Sequence, residues 1–174
     1  MRIRKAEASI GADIDDVDLA ELGSAAFRDI YGVWLEASVL RFRDQVLTKE
    51  ELQAFSERFG PLEYAPMGKI TAKQRANVPN PFVTNISNII ENGRPIGGLG
   101  SGEANWHTDM SYIERPPTAS ILMAVEVPEV GGDTEYCDMH AALKSLPAEL
   151  RGRVRTLSIK HDAAHDSVGG LRRG

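Results

Sequence analysis

The sequence predicts an α+β domain, and three observations carry that expectation. Two amphipathic helical stretches lie in the first third of the chain, and runs of strand length recur from Val39 to Lys160. Between these groups stands a long stretch in which proline and glycine break every period. The first helix rests on Phe27, Ile30, Tyr31, Trp34 and Leu35, spaced i, i+3, i+4, i+7 and i+8 on one face. Val39-Leu40-Arg41-Phe42-Arg43 then reads as a strand. Thr48 and Glu51 make a capping box, and Leu52, Phe55 and Phe59 supply the buried stripe of the helix it opens. Gly60-Pro61 ends that helix, glycine just past the last turn and proline beyond it. Aromatic stripes at helical spacing are core, so both helices are packing elements.

From Pro61 to Glu103 the periodicity disappears. Prolines 66, 79, 81 and 95 and glycines 68, 93, 97, 98, 100 and 102 interrupt it, and only Phe82-Val83-Thr84-Asn85-Ile86-Ser87 reads as a strand. A long glycine-rich connection inside a compact domain is functional or disordered, and residues 66–102 are expected to form a mobile, lid-like segment. Ile96 to Gly102 has neither the P-loop lysine with Ser/Thr nor the GxGxxG spacing, so it is not a phosphate loop.

The most informative window is Asn105-Trp106-His107-Thr108-Asp109-Met110-Ser111-Tyr112. On a strand, residues i and i+2 point the same way, so His107 and Asp109 would share one face, with Trp106 and Thr108 on the other. An imidazole and a carboxylate aimed at one point are two of the three ligands of a 2-His-1-carboxylate facial triad. Taken alone, a His-x-Asp tripeptide is more readily a hydrogen-bonded pair. Beyond it, Glu114-Arg115-Pro116-Pro117 is a stiff turn, and Ala119 to Val125 is an apolar run of strand length. Gly131-Gly132 turns into a short strand, Thr134-Glu135-Tyr136-Cys137. Asp138 can cap a helix from Met139 to Ser145, Pro147 restarts a helical turn, and Val154 to Lys160 is a further strand candidate.

Composition narrows the function classes. The chain has 174 residues, 42% hydrophobic and 26% charged, which suits one globular domain over 1–174. A formal net charge of -5 offers no basic surface for nucleic acid or an anionic membrane. A single cysteine, Cys137, allows no intrachain disulfide. The basic residues near Met1 are not followed by an apolar run, and no stretch is long and apolar enough to span a bilayer. These features agree with a cytoplasmic protein.

Asn105-Trp106-His107-Thr108-Asp109, Glu114-Arg115-Pro116-Pro117 and Gly131-Gly132-Asp133-Thr134 together resemble the taurine dioxygenase (TauD/TfdA-like) family of Fe(II)- and 2-oxoglutarate-dependent dioxygenases. Arg41-Phe42-Arg43-Asp44-Gln45 and Phe59-Gly60-Pro61-Leu62 resemble the same family, in the expected order. The resemblance implies a double-stranded β-helix (jelly roll) with helices packed around it. It makes His107 and Asp109 catalytic metal ligands, Thr134 a hydrogen-bond partner of 2-oxoglutarate and Asn105 a neighbour of the substrate. Fe(II), 2-oxoglutarate and O2 are the implied cofactor and cosubstrates, and a small organic molecule is the implied substrate. Without the family context Thr134 would be a β-branched residue at a strand start, and Asn105 a turn cap.

Two departures from the family pattern shape the expectation. The second histidine ligand and the arginine that pairs with 2-oxoglutarate have no counterpart before Gly174, so the roll is expected to be incomplete at its C-terminal end and this chain inactive alone. His161 and His165 have i, i+4 spacing, but they follow a predicted strand, and His161-Asp162 resembles a family position that is not a ligand. His140 lies among alanines of a helix and reads as a surface or hydrogen-bonded residue. The second departure is the pocket. Ala65 falls where taurine-specific members place a sulfonate-binding histidine, and Gly68 and Ala163 fall where they place aromatics, so taurine is not the expected substrate. The alternative reading is a truncated, non-catalytic relative serving as a binding or oligomerisation module. Unpaired strand edges would favour a homo-oligomer.

Overall fold

The structure, a computed structural model, describes residues 1–65, 77–99, 105–161 and 165. The chain divides into two compact units, Met1–Phe55 with Leu122–Ile159, and Ser56–Ile121 with Lys160–Gly174.

In the first unit, β1 (Arg2–Lys5) pairs antiparallel with β2 (Ala12–Asp15), which pairs in parallel with β3 (Leu40–Phe42). Helix α1 (Ser24–Ala37) makes the crossover that a parallel pair requires. Alternation along β2 sends Ala12 and Ile14 inward, where both are buried, and aims Asp13 and Asp15 at the other face. There Arg4 grips Asp15 through two bonds, Nε at 2.8 Å and a terminal nitrogen at 3.1 Å, and Arg41 of β3 binds Asp13 in the same forked way. Lys5 reaches Glu36 of α1 at 2.7 Å.

The core consists of Ala12, Ile14, Leu19, Ile30, Ala37, Leu52 and Phe55, with Ile14 and Ile30 fully buried. Phe55 sits edge-on to both Phe27 and Phe42, at centroid separations of 6.4 and 5.8 Å. It thereby ties α2 (Lys49–Glu57) to α1 and the sheet. The predicted helices are present, but Leu35 at the edge of the first stripe is exposed. The capping box forms as its spacing predicts. Thr48 Oγ1 accepts from the Glu51 amide at 3.1 Å, and the Glu51 carboxylate takes the Thr48 amide and hydroxyl at 2.7 and 2.8 Å. Gly60 has φ 142, a value that suits glycine at this helix exit.

The rest of this unit departs from the predicted strands. Asp138 caps α3 (Met139–Ser145), accepting from the amides of His140 and Ala141, and Pro147 precedes α4 (Ala148–Val154). However, 122–125 and 134–137 are irregular, and so is the chain beyond Val154, which is itself the last residue of α4. The reason is pairing. A strand exists through its ladder, and no neighbour offers these runs one among the described residues. Their side chains are accordingly open, Val125 at 84% and Ile159 at 79% of full exposure.

In the second unit, β4 (Ile86–Ser87) pairs in parallel with β7 (Gly98–Leu99), and β5 (Ile90–Glu91) forms a hairpin with β6 (Arg94–Pro95). The hairpin turns through Asn92 and Gly93, both at positive φ, as a two-residue turn demands. A Cβ at Gly97 would fall 2.8 Å from Ser87 and 2.9 Å from the Asn85 carbonyl oxygen, so only glycine admits the β4–β7 approach. Strand structure in 82–87 is confined to Ile86–Ser87. Tyr64 stacks on Phe82 at 5.2 Å. The ends of the expected lid, 66–76 and 100–102, lie outside the described residues. Among the described residues, no helix is long and apolar enough to cross a membrane. The described strands amount to a three-stranded sheet and two short ladders of an α+β chain.

Candidate metal centre

His107 and Asp109 do meet, although not by the route that strand geometry predicts. Residues 105–113 form no strand. The chain runs irregularly from Asn105 and turns at 109–112, with the Ile113 amide bonded to the Met110 carbonyl at 3.2 Å. Met110 has φ 49, in the left-handed region that an unbranched non-glycine residue enters only at a cost. The imidazole and carboxylate therefore meet on irregular chain just ahead of a turn, and the strand expectation for this window is corrected.

The ring is held at both nitrogens. His107 Nδ1 lies 2.7 Å from the Asn105 main-chain carbonyl, and Nε2 lies 3.1 Å from Asp109 Oδ1. A carbonyl oxygen can only accept, so Nδ1 carries a proton and donates it. Nε2 then faces a carboxylate that also only accepts. Nε2 and Oδ1 thus approach each other closely enough for one small cation to bridge them. Two ligands at right angles on one ion, with bonds of about 2.1 Å, lie about 3.0 Å apart. Fixing the tautomer through Nδ1 and a backbone carbonyl is the usual support of a metal-binding imidazole.

Asp109 has a further partner that the sequence reading missed. Ser120 Oγ donates to Asp109 Oδ2 at 2.7 Å, eleven residues along the chain. Residues 119–121 were expected in a strand and are instead irregular. A lone serine in an apolar run gave no signal. Nearby, Ser111 Oγ and His161 Nδ1 are 2.8 Å apart, so His161 is engaged with a hydroxyl. Among the described residues, no group of three His, Cys, Asp or Glu side chains is placed to hold a metal, so neither His161 nor His165 completes a triad with His107 and Asp109.

The other expected site residues fall differently. Asn105 contributes its main-chain carbonyl to the ring of His107, and its side chain is exposed. Thr134 belongs to the first unit, on exposed irregular chain just after Gly131 and Gly132. Those glycines have φ 78 and 73, and two successive left-handed residues explain why both are glycine. Ala65 is described and half-buried, whereas Gly68 and Ala163 lie outside the described residues.

An imidazole and a carboxylate brought to one point are two of the three protein ligands that non-haem iron oxygenases use, and comparison with known proteins places the chain in a family. The family model for taurine catabolism dioxygenase TauD, TfdA family, matches residues 2–173, and the chain belongs to that family. It is 38% identical over 164 residues to an alpha-ketoglutarate-dependent 2,4-dichlorophenoxyacetate dioxygenase of Cupriavidus pinatubonensis, covering 87% of this chain and 55% of that protein. It is 34% identical over 155 residues to a (S)-phenoxypropionate/alpha-ketoglutarate-dioxygenase of Sphingobium herbicidovorans, covering 89% and 51%. A solved taurine dioxygenase from Burkholderia xenovorans superposes with a TM-score of 0.61 at 29% identity, over 89% of this chain and 51% of that one. The chain thus spans about half the length of the relatives it matches. These relatives are alpha-ketoglutarate-dependent (that is, 2-oxoglutarate-dependent) dioxygenases.

Proposed function

We propose that this chain carries two of the three protein ligands of an Fe(II)- and 2-oxoglutarate-dependent dioxygenase, His107 and Asp109, within a jelly-roll fold of the family type. The observation behind this reading is the 3.1 Å approach of His107 Nε2 to Asp109 Oδ1, with Nδ1 committed to the Asn105 carbonyl. It leaves the Nε2 lone pair and one carboxylate oxygen directed at a common point. When bound there, Fe(II) with 2-oxoglutarate activates O2 for hydroxylation of a substrate C–H bond.

The chain's own residues orient. The Asn105 carbonyl engages the ring at Nδ1, and the Ser120 hydroxyl holds the far oxygen of the carboxylate beside it. Thr134 is proposed to hydrogen-bond a carboxylate of 2-oxoglutarate, and Asn105 to stand near the substrate, both on the family resemblance. The third metal ligand and the cosubstrate's arginine are proposed to lie outside these 174 residues, leaving this chain inactive alone.

For the substrate we propose a small organic molecule other than taurine. The Ala65 side chain has no hydrogen bond to offer a sulfonate, and two relatives are named for phenoxypropionate and 2,4-dichlorophenoxyacetate. The test is succinate release from 2-oxoglutarate by the whole enzyme, with Fe(II), in the presence of taurine or of either aryloxy acid. Stimulation by an aryloxy acid and none by taurine is expected, and robust taurine-dependent turnover contradicts the substrate reading. A whole protein with no turnover on any substrate and no Fe(II) affinity would instead favour a binding module.

A further inference from the structure

We propose that Ser120 is a positioning residue that makes Asp109 a ligand through one oxygen only. The proposal rests on the reading of His107 and Asp109 as metal ligands. The two carboxylate oxygens have separate commitments, Oδ1 to His107 Nε2 at 3.1 Å and Oδ2 to the Ser120 hydroxyl at 2.7 Å. A carboxylate can hold a cation through one oxygen or both. A hydroxyl proton seated on Oδ2 occupies that oxygen in the plane of the carboxylate and resists rotation of the group. Oδ1 alone is then presented beside the imidazole, and coordination positions stay open for other ligands.

The local chain explains how this serine reaches Asp109. The left-handed Met110 reverses the backbone directly after the aspartate, and Pro116-Pro117 stiffens the return that delivers Ser120. The hydroxyl is a charge-assisted donor, the stronger kind. Hydrogen-bond partners of ligating groups of this kind change metal affinity by about 10- to 100-fold when removed.

The experiment titrates Co(II) alone into the whole enzyme as wild type, Ser120→Ala, Ser120→Thr and Asp109→Ala, following visible absorption and affinity. Ser120 is exposed, so loss of its hydroxyl leaves folding intact, which circular dichroism checks. Ser120→Ala is expected to bind roughly 10-fold or more weakly. Its band should also change intensity as the freed carboxylate engages through both oxygens. Ser120→Thr, which keeps the hydroxyl, should restore affinity and spectrum. If Ser120→Ala matches wild type while Asp109→Ala loses binding, the Ser120 proposal fails and the metal site stands. Equal losses in the alanine and threonine variants would also overturn it, by assigning the effect to packing. Absence of Co(II) binding in the whole wild-type enzyme removes both readings.

Discussion

His107 and Asp109 point at each other across 3.1 Å although neither lies on a strand. The pair lies on irregular chain that enters a turn at Asp109, which is both a turn former and the carboxylate that matters. Asp109→Asn preserves size and the turn but removes the negative charge. We expect divalent metal affinity to fall by more than about 100-fold, beyond the cost of losing an outer hydrogen-bond partner. Isothermal titration with Mn(II) checks this, and an unchanged affinity would place the metal elsewhere.

Met110 holds a conformation that side chains rarely adopt. A β-branched residue tolerates it least, so Met110→Val should cost roughly 1–3 kcal/mol of local or global stability. The Asp109–Ser120 contact should loosen with it. Urea unfolding and the Co(II) spectrum read the two effects separately, and a variant as stable as wild type would show that the turn is not strained.

Ile14 and Ile30 are the fully buried side chains of the described core, one from the central strand and one from the helix across it. Truncating either to alanine removes methylene contacts and leaves a void, so each should cost about 2–5 kcal/mol. A shifted urea midpoint with an unchanged slope is the expected signature. A cost below about 1 kcal/mol would mean that the site collapses or that the residue is not core.

Acid should weaken the first unit through five carboxylates, one of them Asp138, which the Ala141 amide holds below its ordinary value. Hydrogen bonds from Arg41 and Arg4 hold Asp13 and Asp15 below their ordinary 3.8, and bonds from Lys5 and the Thr48 amide hold Glu36 and Glu51 below 4.5. A carboxylate depressed in the folded state contributes stability that is complete above its ordinary value. That stability drains as pH falls through the lowered one. Stability should thus be flat from neutral pH down to about 5 and decline below about 4.5. Asp13→Asn with Asp15→Asn should flatten the acid limb; a limb unchanged in this double variant would show the ladder to be inert.

Where sequence was sufficient, the information was local. Stripe spacing places α1 and α2, the Thr48–Glu51 pair marks a helix start, and Asp138 caps where its position predicts. Strands at 119–125, 134–137 and 154–160 were overread because apolar runs state a preference, whereas ladders require a partner. In the sequence, the motif Arg41 to Gln45 carried the end of a strand reading and a family resemblance, with no partners named. In the structure it is mechanical: Arg41 grips Asp13, Phe42 packs on Phe55, and Gln45 bonds the Leu19 amide and the Val17 carbonyl. In the site, the His107–Asp109 pairing was legible from residue type and spacing. Ser120 was not, because its role depends on a loop return that no periodicity encodes.

The account stands on a cation site at His107 and Asp109, and paramagnetic NMR tests it most directly. Substoichiometric Mn(II) should broaden the His107 ring signals first, and Asp109→Ala should abolish that selectivity. If the His107 signals stay sharp, or broaden equally in the variant, these two residues do not share a metal.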